Sequence, residues 1–345
     1  MRKANKLPKI ALIGADTLLG REIQEVLEKY TGVSLALFAA NGEASFGEEE
    51  GGAAYREPFD EAALKAAGVV VVAGTEEGAE KVYRLALGCG GARQVIDATG
   101  FLDARPEARI TSALEKPRRQ MESWLVVAAH PAATILALLM ARLAAIAPIE
   151  RAVIEVFEPA SQLGKRGISE LQQQTAALLA FRPLERKIFD AQLSFCMLPA
   201  YGEEAPTPLE SAEHRILSHL ATLLDRTAEN APWPMPSVRL VQAPVFHAYS
   251  VSCWIEFTSR PDIAKIAAAL GSEEIEVRGP DLDPPSNVGV VGQAGVQVGD
   301  LRADPNCGRS IWLWAVADNL RLSAVAVERV LLESAGANHH GASHP

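Results

Sequence analysis

The chain has 345 residues, 48% hydrophobic and 22% charged, the ordinary balance of a globular protein and long enough for two domains of about 100–200 residues each. Its formal net charge is −10 and it contains no Lys/Arg run, which argues against a nucleic-acid partner and against an anionic membrane surface, since both need clustered cations. Cys89, Cys196, Cys253 and Cys307 lie far apart, with no CxxC pair and no Cys/His metal spacing, as in a reduced, soluble protein of the cytoplasm.

The opening "MRKANKLPKIALIG" sets basic residues before an apolar run, as a signal peptide does. That run is short, however, and Asp16, Arg21 and Glu22 follow it without a small-residue cleavage site, so it reads as a buried first strand over residues 9–13. Further strand candidates are residues 33–38, 69–73, 94–98 and 125–129, each short and apolar throughout, the pattern of strands covered by helices on both faces. Between the first two, "TLLGREIQEVLEKY" puts Leu18, Leu19, Ile23, Val26 and Leu27 on one helical face. The order predicts an α/β, Rossmann-like dinucleotide-binding domain with a parallel sheet over residues 1–132. The most apolar segment, "AATILALLMARLAAIAP", is interrupted by Arg142 and falls short of the roughly 20 residues that span a bilayer.

Residues 133–317 change character. "ERAVIEVFEP", "SVRLVQAPVFHAYSVSCWIEF", "EIEVRG" and "RSIWLWAVA" alternate apolar and polar residues, with helical patterns at "GISELQQQTAALLA", "PLESAEHRILSHLATLLDR" and "PDIAKIAAALG" between them. This predicts an α+β domain with a mixed or antiparallel sheet. An amphipathic helix over residues 318–336 closes the ordered chain. The tail 337–345, with His339, His340 and His344, reads as disordered and not as a metal ligand set.

The turn after the first strand, Gly14-Ala15-Asp16-Thr17-Leu18-Leu19-Gly20, keeps the outer glycines of a GxxGxxG dinucleotide fingerprint, while Thr17 takes the middle position, where a branched side chain hinders the approach of a pyrophosphate. The plain alternative is a strand-to-helix turn with Thr17 or Asp16 as its N-cap. At the end of the second strand, "FAANGEAS" supplies Glu43 and no cation, and the acidic residues 47–50 follow. NADP, whose 2′-phosphate needs a cation, is disfavoured there. NAD stays open, and no cofactor is certain.

The pieces "KIALIGADTLLGREIQEVLE", "QVIDATG", "GKRGISELQQQT", "FCMLPAYG", "VQAPVFHAYSVSCWIEF" and "WAVADNLR" occur in the order and spacing of aspartate-semialdehyde dehydrogenases, and the chain resembles that family from about residue 9 to 333. "QLSFCMLP" and "QAPVF" are similar to its Usg-like paralogues. The resemblance implies a Rossmann domain, a dimerisation domain that makes a homodimer, and a final helix returning to the first domain. It also implies reductive dephosphorylation of aspartyl phosphate through a cysteine thioester and NADPH. That chemistry asks for a thiolate, a histidine that shuttles protons, a glutamine that orients the acyl group, and arginines for carboxylate and phosphate.

Residue by residue, the resemblance places something else at each position. The family's Asn-Pro-X-Cys turn matches "AHPAATIL", so the cysteine position is Ala133, and a slip of one residue gives Ala132 or Thr134. The orienting glutamine becomes Glu158. The arginine and the histidine seven residues beyond it become Gln242 and Tyr249. An arginine for phosphate becomes Asp103. His247 lies two residues before Tyr249, on the same face of an alternating strand, and is a candidate to stand in for the histidine; the plain alternative is a surface or edge histidine. Cys307, in "ADPNCGRS", follows Pro-Asn as a nucleophile of another aldehyde dehydrogenase family does, but the run has the chemistry of a surface turn. The expectation is therefore a catalytically silent relative with a binding or assembly role. The alternative is an NAD(P)-linked oxidoreductase on an aldehyde or acyl substrate, with Tyr249, His247 and Glu158 as acid–base groups, or a semialdehyde dehydrogenase of amino-acid biosynthesis.

Overall fold

A computed structural model describes residues 7–30, 32–49, 52–91, 93–112, 123–227, 233–279 and 281–338. Glu50 of the acidic run and the tail from residue 339 onward lie outside them. The chain divides into two compact units, residues 1–129 with 323–345, and residues 130–322.

The first unit contains β1 (Ile10–Ile13), α1 (Leu18–Glu28), β2 (Leu35–Phe38), β3 (Ser45–Glu49), β4 (Gly52–Arg56), α2 (Glu61–Ala66), β5 (Val69–Val72), α3 (Glu76–Gly88), β6 (Gln94–Asp97), β7 (Ala108–Thr111) and β8 (Leu125–Ala128). Six of the strands form one parallel sheet in the order β2-β1-β5-β6-β8-β7, with Ile10 beside both Leu35 and Val69. β1, β5 and β8 are buried at every residue, as strands enclosed on both faces must be. β7 and the β3–β4 hairpin, which pairs Ser45 with Arg56, were not visible in the sequence pattern. β7 is an edge strand in which only Ile110 is strongly apolar, and the hairpin is rich in Gly and Glu, so neither carries a hydrophobic period.

The second unit contains α4 (Pro131–Ala144), β9 (Ile149–Glu158), a 3-10 turn (Ala160–Leu163), α5 (Gly164–Leu179), α6 (Leu209–Thr227), β10 (Ser237–Gln242), β11 (Tyr249–Phe257), α7 (Ile263–Leu270), β12 (Ile275–Val277), β13 (Val296–Ala303) and β14 (Ser310–Ala317). Its mixed sheet runs β10-β9-β11-β14-β13-β12, with β10–β9 and β12–β13 parallel and the remaining pairs antiparallel. The single strand-like run at residues 237–257 therefore divides in two: β10 and β11 flank β9 on opposite sides, separated by a turn in which Ala248 has φ +69°. β13 escaped the sequence reading because Gly299 and Asp300 interrupt it. The ladder is irregular there, Asp300 has φ +46°, and a Cβ on Gly299 would meet Pro285 at 2.5 Å.

One face of this sheet buries Tyr249, Val251, Cys253, Ile255 and Phe257. The opposite face carries Val153, Phe157, Trp254, Trp312 and Trp314, with Trp254 opposite Trp312 and the rings of Phe157 and Trp314 5.8 Å apart. α4 is buried along almost its whole length and lies against α6 and α7. Each fully buried Ile or Leu side chain contributes roughly 1.5–3 kcal/mol, so Ile135, Leu136, Leu139 and Leu143 fix the helix, and with it the turn at His130. The last helix, α8 (Asn319–Asn338), passes into the first unit at Ser323. There Ala324, Val327, Val330 and Leu331 join the core formed by β1, α1 and β5. No helix among the described residues is long and apolar enough to cross a membrane.

Candidate functional site

In the first unit, Gly14 has φ +91°, and a Cβ there would lie 2.5 Å from the Ala73 carbonyl carbon; a Cβ on Gly20 would lie 1.9 Å from the Gly14 oxygen. The turn itself demands both glycines, whether or not a nucleotide ever meets it. Thr17 is the N-cap of α1: its Oγ1 accepts from the Gly20 N–H at 2.9 Å and lies 2.9 and 2.8 Å from the carbonyls of Gly14 and Ala73. A helix N-terminal donor that would serve an anion is thereby spent inside the turn. Asp16 lies 3.9 Å from Arg56, and Ala15, Leu18 and Leu19 complete the turn.

Glu43 has a cation after all. Lys81 of α3 reaches it at 2.7 Å and also donates to the Gly42 carbonyl at 2.8 Å, a partner invisible from local sequence because it comes from another element. Glu76 and Glu77 occupy the first turn of α3 behind the Thr75 cap. Asp97, buried at the end of β6, accepts from the N–H groups of Thr99, Gly100 and Leu102 and from the Thr99 hydroxyl, and so shapes the turn that leads to Asp103. Burial pushes the Asp97 pKa up against those bonds. Asp103 is half-buried, and Arg105 two residues on pairs with Glu80 and lies over the Tyr83 ring.

In the second unit, strand register assembles the other candidates. Gln242, the last residue of β10, is the partner of Glu158, the last residue of β9; Tyr249, the first residue of β11, flanks Glu158 on the other side, since Ser250 pairs with Phe157. The Tyr249 hydroxyl donates to Glu158 Oε2 at 2.9 Å. Gln242 Nε2 donates to the backbone oxygens of Glu158 at 2.8 Å and Ala243 at 3.1 Å. Tyr201 completes the row, donating to Gln242 Oε1 at 2.6 Å with Glu158 Oε1 at 3.5 Å. Burial is the main reason that Glu158 is pushed up to about 7, against the hydrogen bonds from the two tyrosines. Burial and the Glu158 charge raise the Tyr249 phenol well above its ordinary value.

Tyr201 arrives on a segment without regular structure, held by two α5 side chains one turn apart. Glu170 accepts from the backbone N–H of Lys187 (2.7 Å), Ile188 (2.6 Å) and Phe189 (3.2 Å). Gln174 accepts from Leu193 and Ser194 and donates to the Glu185 and Ala191 carbonyls. Nothing periodic in residues 185–201 marks Tyr201 in advance.

At the start of α4, His130 is the N-cap. Its Nδ1 accepts from the Ala132 N–H, its own backbone N–H donates to His219 Nδ1 at 2.9 Å, and its ring centroid lies 5.8 Å from that of Tyr249. Burial lowers its pKa to about 3, with His219 and Arg215 adding to the effect, so the ring is neutral. The Gln162 amide lies 3.3 Å from His130 Nε2 and accepts from Asn319 Nδ2 at 3.3 Å; Asn319 Oδ1 in turn accepts from Ser161 Oγ and the Ala248 N–H. Asn319 and Gln162 escaped the sequence reading: the cap of the last helix is Asp318, which accepts from the Leu320 and Arg321 N–H groups, and nothing local marks the Asn319 amide beside it. Ala133, Ala132 and Thr134 are all buried in the first turn of α4. His247 does not share a strand face with Tyr249: it lies in the turn before β11, the left-handed Ala248 breaks the alternation, and the His247 carbonyl accepts from Asn287.

The thiols lie elsewhere in the chain. Cys307 sits in the β13–β14 turn, accepting from Ser310 Oγ at 3.0 Å and 3.7 Å from Glu256. Cys253 is buried in β11 four residues past Tyr249, about 13 Å along the strand at roughly 3.3 Å per residue. Burial raises its pKa. Cys196 lies 3.6 Å from the Gln192 amide, and Cys89 caps α3 in the first unit.

The model of the semialdehyde dehydrogenase dimerisation domain matches residues 140–322. A USG-1 protein homolog of Azotobacter vinelandii is 30% identical across 94% of this chain and 97% of its own length. The chain belongs to the semialdehyde dehydrogenase family. A second USG-1 protein homolog, from Pseudomonas aeruginosa, is 32% identical over 72% of this chain and 71% of its own. The solved structure of a probable aspartate-semialdehyde dehydrogenase from Pseudomonas aeruginosa superposes with a TM-score of 0.78 at 27% identity, covering 94% of this chain and 96% of that one. The family resemblance read from the sequence motifs therefore holds, as does the fold class: a parallel Rossmann-like sheet, and a mixed sheet in the dimerisation domain of this semialdehyde dehydrogenase relative.

Proposed function

We propose that this family member does not perform acyl transfer through a cysteine thioester, and that it serves as a binding or assembly protein, a homodimer built on its second unit. The observation that carries this reading is Ala133: the position matched to the nucleophile is a methyl group with 0% exposure inside α4. Thioester formation needs a thiolate, and no proton shuttle or orienting group replaces one. The neighbouring substitutions favour the same reading. Glu158 and Gln242 present acceptors where an anionic substrate needs donors, and a lost charge-assisted contact costs about 1.5–3 kcal/mol before any repulsion is added.

The residues of the first unit do not fit a dinucleotide's phosphates. The Gly20 N–H is taken by Thr17, Glu76 and Glu77 stand at the next helix start, and Lys81 is neutralised by Glu43. The apolar outer face of the mixed sheet, with Val153, Trp254 and Trp312, supports the dimer.

The test is turnover: pure protein with aspartate semialdehyde, phosphate and NAD or NADP, read at the nicotinamide absorbance band. No reaction above background is expected. Turnover that persists through purification and is abolished by Tyr249→Phe or Asp103→Arg rejects the proposal. One observation favours the second reading, an NAD-linked oxidoreductase: Glu158, at about 7 and bonded to Tyr249, is an acid–base group poised near neutrality. Saturable NADH fluorescence together with a substrate-dependent absorbance change would establish it.

A further inference from the structure

The amide orientation of Gln242 is settled by its neighbours. Its Nε2 faces two backbone carbonyls, at 2.8 and 3.1 Å, and carbonyls only accept, so both N–H groups are spent and Oε1 is turned toward Tyr201. Glu158 Oε2 already accepts the hydrogen bond of the Tyr249 hydroxyl, which leaves Oε1 as a second acceptor on the same side. The end of the mixed sheet thus offers a pair of acceptors beneath an apolar wall of Ala160, Leu171, Phe189 and Leu193. The Tyr201 ring lies against that wall, edge to face with Phe189 at 5.4 Å. A buried ammonium would satisfy the acceptors but would lose its hydration against the apolar side, whereas an aromatic hydroxyl satisfies both halves.

We propose that this position is a subsite for a neutral aromatic hydroxyl, a phenol, and that the chain fills it with its own Tyr201, carried in on the segment pinned by Glu170 and Gln174. The inference deepens the reading above, because it supposes that no carboxylate substrate is received there. Its polarity is the inverse of a carboxylate site: donors are accepted, and an anion would meet the acceptor oxygens of Gln242 and Glu158.

The experiment uses the full chain with Tyr201→Gly, probed with phenol and with benzoate in thermal melts. Phenol is expected to raise the melting temperature of the variant saturably and to leave the unaltered protein unmoved, while benzoate has no effect. Benzoate stabilising as well as phenol would overturn the inverted polarity, and phenol failing to stabilise a folded variant would overturn the subsite. If Tyr201→Gly does not fold, Tyr201→Phe decides, since it keeps the ring and deletes only the donor. Leu198 and Gln242 exchange backbone hydrogen bonds at 3.0 Å, and their amide hydrogen exchange is expected to quicken by about tenfold, the equivalent of one hydrogen bond. Unchanged exchange in Tyr201→Phe refutes the proposal. None of these outcomes depends on semialdehyde turnover, so a silent enzyme without this subsite, and an active one with it, are both recognisable.

Discussion

Replacing Glu158 by Gln keeps the shape of a fully buried side chain and removes its ability to ionise, while turning one of its two acceptor oxygens into an N–H donor, a change that does not vary with pH. In the fold the carboxyl is pushed from 4.5 to about 7, chiefly by burial. The unfolded chain releases this proton near 4.5 and the folded chain holds it until about 7, so the group's stabilising contribution is whole below 4.5 and is lost as pH rises to 7. At about 1.4 kcal/mol per pH unit, the interval amounts to about 3 kcal/mol. The Glu158→Gln variant lacks this loss, so its stability relative to the unaltered protein should climb by about 3 kcal/mol between pH 4.5 and 8 and then level off. His130 acts with the opposite sign. Lowered from 6.5 to about 3, it contributes stability above 6.5 that is lost as pH falls toward 3. Between 4.5 and 6.5 the two slopes oppose each other in the unaltered protein, and Glu158→Gln leaves the His130 slope bare. Urea unfolding followed by tryptophan fluorescence at a series of pH values measures both, since Trp254, Trp312 and Trp314 all lie in the second unit. A stability difference that does not vary with pH would refute the reasoning.

A thiol introduced at position 133 should confer nothing by itself: Ala133→Cys is expected to show no semialdehyde turnover and slow alkylation by iodoacetamide, because burial at this position raises a thiol pKa as it does at Cys253. Glu170→Ala strands three backbone N–H groups, each costing about 1–3 kcal/mol where water cannot reach, so protection of the Lys187, Ile188 and Phe189 amides should collapse in hydrogen exchange. Val153→Asp, at a 46% exposed position on the outer sheet face opposite Trp254, should turn a dimer into a folded monomer in sedimentation velocity; a dimer that survives the charge lies on another face.

The parts of the fold legible in the sequence were those whose burial leaves a period. β1, β5 and β8 are apolar at every residue because helices cover both faces of their sheet, and α1 shows its inner face as a stripe. β7, exposed to fewer neighbours at the sheet edge, and β13, bent at Gly299, leave no such trace. The site divides in the same way. Glu158, Gln242 and Tyr249 were individually readable by likeness to a family motif, but their meeting depends on β10 joining β9 in parallel while β11 joins it antiparallel, which no local pattern encodes. Tyr201, Gln162 and Asn319 enter from loops and a helix start, positioned by Glu170, Gln174 and the α4 turn. His247 was misplaced because a single left-handed residue, Ala248, resets the alternation.

The polar groups at the sheet end are chemically interdependent, since each hydrogen bond of the row joins two of its members. An acid at position 158 beside an arginine at 242 and a histidine at 249 would be an ion cluster. Beside Gln242 and Tyr249 it is a single buried carboxyl that accepts a hydrogen bond from a phenol. Gln242 in turn would leave a buried acceptor stranded were Tyr201 absent, at about 1–3 kcal/mol. Replacing any one member therefore breaks a bond that another member needs, so Gln242→Arg or Tyr249→His alone should cost stability. A polar row that satisfies itself in this way also has no donor left over for an anionic substrate.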